Sequence, residues 1–406
     1  MKVRRRALLA AGVALLGGVL WWAAARWLWP TTVPSGLRLS GLDTAHYFSR
    51  SFLRRSASYE RFLDVDGVLA EVVLVGVLCV YAARGHRFMK ESAAGPIGTG
   101  MMLGMLGFAV VWIAELPFGL AAVWWERSHG VSHQGYVGWV FESFGRLGGT
   151  FVFVCFALLV AMGLARVLGR WWWAVAAPVF AGLALLAAFV GPFLLTSTHP
   201  LREPRLLAET STLARREGVS GRKVEVQEVK RFTTAPNAES VGWGSTSRLV
   251  LWDTLLSGRF GRREVRFVVA HELGHISRKH ILKGVGWTGL FLIPMALLIA
   301  WATAKRGGMG RPEAVPVALL VLTLFTLAMT PVRNAISRRM EGEADWRALV
   351  ATHDPAAARM ALRRLAVTSL TDPDPPWWAY TLEATHPSIA QRIAMANTWE
   401  RESRRP

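Results

Sequence analysis

Long apolar stretches separated by polar, basic segments dominate the chain. Crossing about 30 Å of hydrocarbon takes about 20 helical residues, and seven stretches reach that length, so the pattern predicts seven transmembrane helices. They lie at residues 7–29, 67–83, 97–125, 149–168, 172–195, 284–303 and 315–332. The first follows Lys2 and three arginines and could be a cleavable signal sequence, but its length and tryptophan-rich end favour an uncleaved helix.

The polar segments divide the chain into membrane and soluble parts. Residues 1–195 are expected to form a membrane region with five spans, and residues 284–332 contribute two more. The polar, mixed-charge segments 196–283 and 333–406 are expected to fold together as the two parts of one soluble domain.

Alternating side chains predict a short β-element in the first soluble segment. Lys223–Lys230 and Arg248–Trp252 both alternate apolar and polar residues, as half-buried strands do. Gly242 and Gly244 mark a turn before the second strand. Because the remaining segments have helical patterns, the predicted fold class is mainly α: a multi-spanning membrane protein with a small sheet.

Composition agrees with membrane embedding. Hydrophobic residues make up 52% of the chain and charged residues 18%, a balance that soluble domains of 406 residues rarely show. The net charge of +19 suits anionic lipid headgroups. A nucleic-acid partner is not expected, since no basic stripe is interleaved with aromatic residues. Cys79 and Cys155 lie in apolar stretches without C-x-x-C spacing, which argues against a disulfide framework or a thiolate metal site.

The sequence HELGH at residues 271–275 introduces metal chemistry. His271 and His275 are four residues apart on a predicted helix, so both imidazoles project from one face and can reach one Zn²⁺. Glu272 is then placed to accept a proton from a water that attacks a peptide carbonyl. A chance match in a chain of this length is on the order of 1%. Three polar residues on an otherwise apolar helix are also costly to bury without partners.

Ser337–Trp346 offers the third protein ligand that a catalytic zinc site needs. Glu341 and Asp345 share a helix face, which suits Glu341 as a ligand and Asp345 as the carboxylate that orients a histidine ring. Small residues around Glu341 would let this helix approach the HELGH helix. Glu343 falls on the opposite face, where it is expected to pair with Arg347 at the surface. The alternative is an acidic cluster on a solvated face.

HELGH, the later SRRMEGEAD and the seven-span layout together resemble the type I CAAX prenyl protease family of membrane zinc endopeptidases, over nearly the full chain. The resemblance implies a gluzincin-type zinc peptidase domain with one Zn²⁺ per chain. Four further segments are similar to the family: ERSHGVSHQGYVGWVFE, RLVLWDTLL, PNAESVGWG and THPSIAQRI. The shorter four-span heat-shock membrane proteases carry similar zinc motifs, but the span count here argues against that subfamily.

The resemblance also assigns roles to residues outside the metal motifs. Asn237 and Ala238 would pair with the substrate backbone. His386 and Arg392 would act in catalysis, by steadying the oxyanion and the acidic region around the third ligand. Each has a structural alternative, since Asn237 could be a turn residue and His386 a helix cap. The remaining histidines are expected to have structural or solvated roles, including His280, which on one continuous helix would lie about 140° around from His275.

The expected function is hydrolysis of peptide bonds in membrane-associated or lipidated proteins, and the expected biological role is the quality control of membrane proteins. The alternative is a non-catalytic zinc-binding scaffold or transporter, but Glu272 argues against it because a structural zinc site needs no proton acceptor. The N-terminal arginines favour a cytoplasmic start, which with seven spans places the catalytic domain outside. Its many basic residues and the family resemblance favour the cytoplasmic face of the cell membrane, which is the orientation we expect.

Overall fold

The computed structural model of the chain describes residues 2–88, 94–195 and 198–404. Within these ranges the chain forms twelve α-helices and four β-strands. The helices are α1 (Lys2–Leu28), α2 (Arg50–Arg84), α3 (Gly95–Ser128), α4 (Tyr136–Leu168), α5 (Trp172–Leu194), α6 (Pro204–Arg216), α7 (Arg262–Ser277), α8 (His280–Thr303), α9 (Val315–Thr352), α10 (Pro355–Ser369), α11 (Trp377–Leu382) and α12 (Ile389–Ser403). The strands are β1 (Thr198–Pro200), β2 (Lys223–Gln227), β3 (Ala238–Val241) and β4 (Arg248–Trp252).

Five helical stretches in the described ranges are long and apolar enough to cross a membrane. They are Arg50–Arg84, Gly95–Ser128, Tyr136–Leu194, His280–Arg306 and Pro312–Thr352. The stretch Tyr136–Leu194 contains two helices, α4 and α5, and Leu15–Leu28 within α1 is a shorter apolar helix. A helix therefore occupies each of the seven predicted positions. The mainly α, multi-spanning architecture is confirmed, and the number of membrane crossings stays a prediction.

The helices do not end where the apolar stretches end. The helix α9 continues without a break from its apolar half into the polar region that carries Glu341. Pro331 lies inside it, where a membrane helix tolerates proline. A single helix thus joins the apolar and polar segments across the predicted boundary at residue 332, and the division into four segments stays a prediction.

The sheet has the strand order β1, β2, β4, β3, so that β3 lies at one edge. Strands β2 and β4 are parallel, while β3 runs antiparallel to β4. Strand β4 has the predicted bounds, but β2 ends at Gln227, because the backbone N–H groups of Val229 and Lys230 turn to donate to Asp253 Oδ1 at 3.0 Å. The predicted turn at Gly242 has φ 74°, and a Cβ there would lie 2.6 Å from the Thr246 carbonyl oxygen.

The sheet, α6, α9 and α10 pack around α7, and α12 completes the same hydrophobic core by packing on α9 and α10. Val269, Ala270 and Leu273 on α7 are completely buried. The helix begins at a capping interaction in which the Glu264 carboxylate accepts the Gly261 N–H at 2.8 Å. Since α7 is held on several sides, polar residues on it have fixed positions.

Candidate metal centre

The helices α7 and α9 approach each other closely at Gly274. A Cβ on this glycine would lie 3.2 Å from Arg347 Cβ and 3.3 Å from the backbone of Ala344. Ala344 and Ala348, on the facing side of α9, are completely buried. The small residues on both helices let a carboxylate on α9 reach the imidazoles on α7.

The predicted ligands His271, His275 and Glu341 converge on one point. The Nε2 atoms of the two imidazoles are 3.1 Å apart. Glu341 Oε2 lies 3.2 Å from His271 Nε2, and Glu341 Oε1 lies 3.5 Å from His275 Nε2. One candidate ligand atom from each residue falls within 4.8 Å of the others, an arrangement that could hold a metal ion.

The donor set fits a tetrahedral metal such as zinc. Bonds of about 2.0–2.2 Å in a tetrahedron place neighbouring ligand atoms about 3.3 Å apart, close to the separations here. Glu341 Oε2 is buried and makes no hydrogen bond, although His271 Nε2 and His386 Nε2 each lie 3.2 Å from it. A carboxylate oxygen that is buried without a hydrogen bond is costly, and a cation shared with the histidines would satisfy it.

Asp345 and Arg392 support His271 from behind. Asp345 Oδ1 lies 2.9 Å from His271 Nδ1, and the Arg392 guanidinium donates to both Asp345 oxygens at 2.7 Å. Burial disfavours a charged imidazole, but the Asp345 and Glu341 carboxylates outweigh it and raise the pKa of His271 to about 10. The same two carboxylates that hold a proton on His271 would attract a divalent cation, and the ring has to release that proton when it binds a metal. Asp345 occupies the position expected of a carboxylate that orients a histidine ring.

His280 lies against His275, and not about 140° around a helix from it as the spacing of five residues predicts. His280 is buried, with Nδ1 2.9 Å from His275 Nδ1 and Nε2 3.0 Å from Glu343 Oε2. The expectation assumed one continuous helix, whereas α7 ends at Ser277 and Lys279 has φ 54°. This left-handed residue redirects the chain and turns His280 toward the site.

The expected surface pair of Glu343 with Arg347 is wrong. The Glu343 side chain is only 1% exposed, since its face of α9 is covered by the start of α8 and by the residues that follow α1. Its partners are Arg278, His280, Lys283 and the backbone of Thr32. Arg347 instead forms a bidentate pair with Glu217.

Glu272 lies beside the convergence point in a cavity of about 450 Å³. It is buried, and burial raises the pKa of its carboxyl, opposed by His275, His271 and a hydrogen bond with Ser240. A raised pKa makes a carboxylate a stronger proton acceptor. The His386 side chain is 56% exposed and enters the same cavity, with Nε2 3.2 Å from Glu341 Oε2.

The edge strand β3 forms one wall of this cavity. Asn237 and Ala238, at the start of β3, line it together with the histidines and Glu272. The Asn237 carbonyl accepts the Trp252 N–H at 3.0 Å, which aligns this residue with the sheet. An edge strand can add one further, extended strand by backbone hydrogen bonding. Eight of the nine residues predicted for the site line this cavity, and the ninth, Asp345, lies behind His271.

Comparison with known proteins identifies the family. Residues 178–400, more than half of the chain, match the family described as Peptidase family M48. The chain belongs to peptidase family M48. This M48 peptidase is 26% identical to the uncharacterized metalloprotease YhfN of Bacillus subtilis over 394 residues, or 91% of each chain. It is 29% identical to a protease HtpX homolog of Aeropyrum pernix over 245 residues, covering 57% of this chain and 68% of that one.

The fold has a counterpart among solved structures. The crystal structure of S. mikatae Ste24p superposes with a TM-score of 0.70 at 17% sequence identity, over 95% of this chain and 97% of that one. The family match and the named relatives confirm the predicted class of enzyme, and together with this fold they confirm the predicted resemblance. This M48 peptidase is a multi-pass membrane metalloendopeptidase, which acts on peptides or proteins.

Proposed function

We propose that this M48 peptidase binds one zinc ion through His271, His275 and Glu341 and uses Glu272 to hydrolyse peptide bonds of membrane-associated proteins. The observation that carries the proposal is the convergence of two imidazole nitrogens and the Glu341 carboxylate on one point. A purely structural metal site would not explain why a further buried carboxylate, Glu272, shares the open cavity.

The residues around the cavity would have different roles in peptide hydrolysis. Bound zinc would supply the Lewis acidity that polarises a water and the scissile carbonyl. Glu272 accepts the proton of the attacking water at its carboxylate, and the same oxygen can return it to the leaving amine. The hydrogen bond with Ser240 orients this carboxylate. His386 enters the cavity and is placed to stabilise the negative charge on the carbonyl oxygen.

Arg392 acts on the same centre through Asp345. Its guanidinium is engaged by both Asp345 oxygens, so it stabilises the carboxylate that orients His271. Arg392 also lines the cavity. Its positive charge therefore adds to the field that favours a developing oxyanion.

The substrate lies extended along β3, with its backbone paired to Asn237 and Ala238. The cavity lies close to the membrane region, since α8 begins at His280 and Glu341 follows directly after the apolar half of α9. Peptide segments that emerge from a bilayer, or that carry a lipid, would reach it. We infer a role in the quality control of membrane or lipidated proteins of the cell membrane, with the catalytic domain on the cytoplasmic face.

Replacement of Glu272 by Gln tests the proposal. The amide keeps the size of the side chain but removes the proton acceptor, so turnover of casein by the purified protein should fall about 10²–10⁴-fold. Bound zinc should stay near one per chain, because the ligands are unchanged. The matched control is Glu217→Gln, which alters a buried glutamate paired with Arg347, away from the cavity.

The outcomes separate an enzyme from a scaffold. Turnover of the Glu272→Gln protein within tenfold of wild type would contradict the role of Glu272 as base. Wild-type protein that binds zinc but releases no casein fragments, with or without a zinc chelator, would favour the scaffold. Proteins that accumulate in membranes carrying the Glu272→Gln enzyme would identify the natural substrates.

A further inference from the structure

The proton on His275 has to be placed on a defined nitrogen for the ring to bind a metal. In the proposed zinc site, on which this inference rests, His275 Nε2 faces the ion and must keep a free lone pair, so Nδ1 carries the hydrogen. That N–H points at His280 Nδ1, 2.9 Å away. His280 therefore accepts at Nδ1 and donates from Nε2 to Glu343 Oε2 at 3.0 Å.

The two histidine ligands thus have different supports. The N–H of His271 meets the Asp345 carboxylate directly, whereas the N–H of His275 reaches the Glu343 carboxylate through His280. A carboxylate behind a ligating imidazole fixes the tautomer and the ring orientation. An imidazole between the ligand and the carboxylate can fix the tautomer and ring orientation in the same way, because one of its nitrogens accepts a hydrogen bond from the ligand and the other donates one to the carboxylate.

Glu343 is held in place by four donors. Oε1 accepts the Thr32 N–H at 2.8 Å and Arg278 Nε at 2.9 Å. Oε2 accepts His280 Nε2 at 3.0 Å and Lys283 Nζ at 3.1 Å. The buried carboxylate has no freedom to turn away from His280 while all four donors are present.

The backbone donor comes from the segment that follows α1, 311 residues away in the chain. Two cations fasten this segment: Lys283 Nζ donates to the Pro30 carbonyl at 3.1 Å, and Arg339 Nε donates to the Trp29 carbonyl at 2.8 Å. Trp29 also packs edge-on against Trp287 of α8. Residues 29–32 therefore cover Glu343 and exclude solvent from it.

We propose that His280 and Glu343 are positioning residues for the metal ligand His275, and that residues 29–32 keep them in place through the Thr32 N–H. The segment between the first helix and α2 then contributes to metal binding without touching the metal. Neither His280 nor Glu343 binds the metal in this assignment. Their effect should appear first in metal affinity and ligand geometry.

Metal affinity, measured by competition with a chromophoric chelator, tests the assignment without reference to activity. Glu343→Gln keeps the size of the side chain but puts an amide where four donors meet, and His280→Phe removes the imidazole that links Glu343 to His275. Each should weaken zinc binding about 10–100-fold, the usual effect of losing a partner behind a ligand. Glu217→Gln, an equally buried glutamate that contacts Ser277 and Arg347 and no proposed ligand, should stay within threefold of wild type.

A backbone substitution isolates the contribution of the segment. Thr32→Pro removes the N–H that Glu343 accepts, and Thr31→Pro introduces the same ring one residue earlier while leaving that N–H in place. Zinc affinity should fall for Thr32→Pro and not for Thr31→Pro. The visible spectrum of the cobalt-substituted protein should change in band position and intensity for Thr32→Pro and Glu343→Gln, since the His275 ring is reoriented. A merely structural role would not alter that spectrum in folded protein.

Zinc binding by two sets of variants tests the proposed ligands and the positioning residues separately. Zinc retained by His275→Ala or Glu341→Ala would overturn the site itself. If those variants lose zinc while folded Glu343→Gln and His280→Phe bind it as wild type does, only the positioning role is overturned. Should either variant fail to fold, judged by circular dichroism of the zinc-free protein, the comparison of Thr32→Pro with Thr31→Pro decides the question by the same affinity criterion.

Discussion

Asp345 supports the centre through three contacts, and replacing it by Asn should separate stability from metal binding. The carboxylate is 2% exposed, accepts two N–H groups of Arg392 at 2.7 Å and faces His271 Nδ1 at 2.9 Å. Asparagine keeps the shape but offers one acceptor oxygen in place of two. The NH₂ group must then face either the guanidinium or the imidazole N–H, and both of these are donors.

The expected cost follows from burial. Leaving a buried charge such as Arg392 without its partner costs about 3–5 kcal/mol. For a cooperative unit of 150–250 residues this lowers the melting temperature by about 2–4 °C for each kcal/mol. Zinc affinity should fall about 10–100-fold, because the His271 ring loses the group that orients it. Arg392→Gln should lower stability to a similar extent but weaken zinc binding less, since it acts one step further from the metal.

A double-mutant cycle decides whether the two residues act together. Melting of zinc-free protein in detergent gives the stability effect, and chelator competition gives the affinity of each variant. The double variant Asp345→Asn with Arg392→Gln should cost about 0.5–3 kcal/mol less than the sum of the single changes. If the losses in stability of the two single variants add up in the double variant, and Asp345→Asn binds zinc as tightly as wild type, then Asp345 and Arg392 do not act together on His271.

Two further changes test helix packing and topology. Gly274→Val should force α7 and α9 apart and lower zinc content and melting temperature, because even a Cβ at Gly274 approaches Ala344 to 3.3 Å. The control is Gly284→Val, where a Cβ meets nothing within 4 Å. Equal zinc content in both proteins would contradict the packing argument. In a background without Cys79 and Cys155, a cysteine at the exposed Ser257 should resist a membrane-impermeant thiol reagent in intact cells and react after lysis, and rapid labelling before lysis would place the catalytic domain outside.

The metal motifs were predictable because their chemistry is local. His271 and His275 share a helix face by spacing alone, and Glu341 was selected because its neighbours on α9 are small. Those small residues do face α7, where Ala344 meets Gly274. Helical periodicity and side-chain volume are therefore sufficient to predict the three candidate ligands, because α7 and α9 are unbroken helices where they carry these residues.

The support behind His275 was not predictable from periodicity. A single left-handed residue, Lys279, separates α7 from α8, and the sequence RKH contains no glycine or proline to mark such a break. Rotation at 100° per residue therefore placed His280 away from the site. Short-range patterns also gave no indication that Glu343 is covered by Thr32, a contact made across 311 residues.

The position of the centre explains why the membrane region and the metal site depend on each other. His280 is the first residue of the apolar helix α8, and Glu341 and Glu343 lie on the continuous helix α9, which begins in the membrane region at Val315. Any rotation of α8 against α9 therefore changes the distance between His280 and Glu343. The residues after α1 bind both helices through Lys283 and Arg339, which resists that rotation. If His280 and Glu343 position His275 as proposed, the packing of the apolar helices is part of what orients the proposed metal ligands.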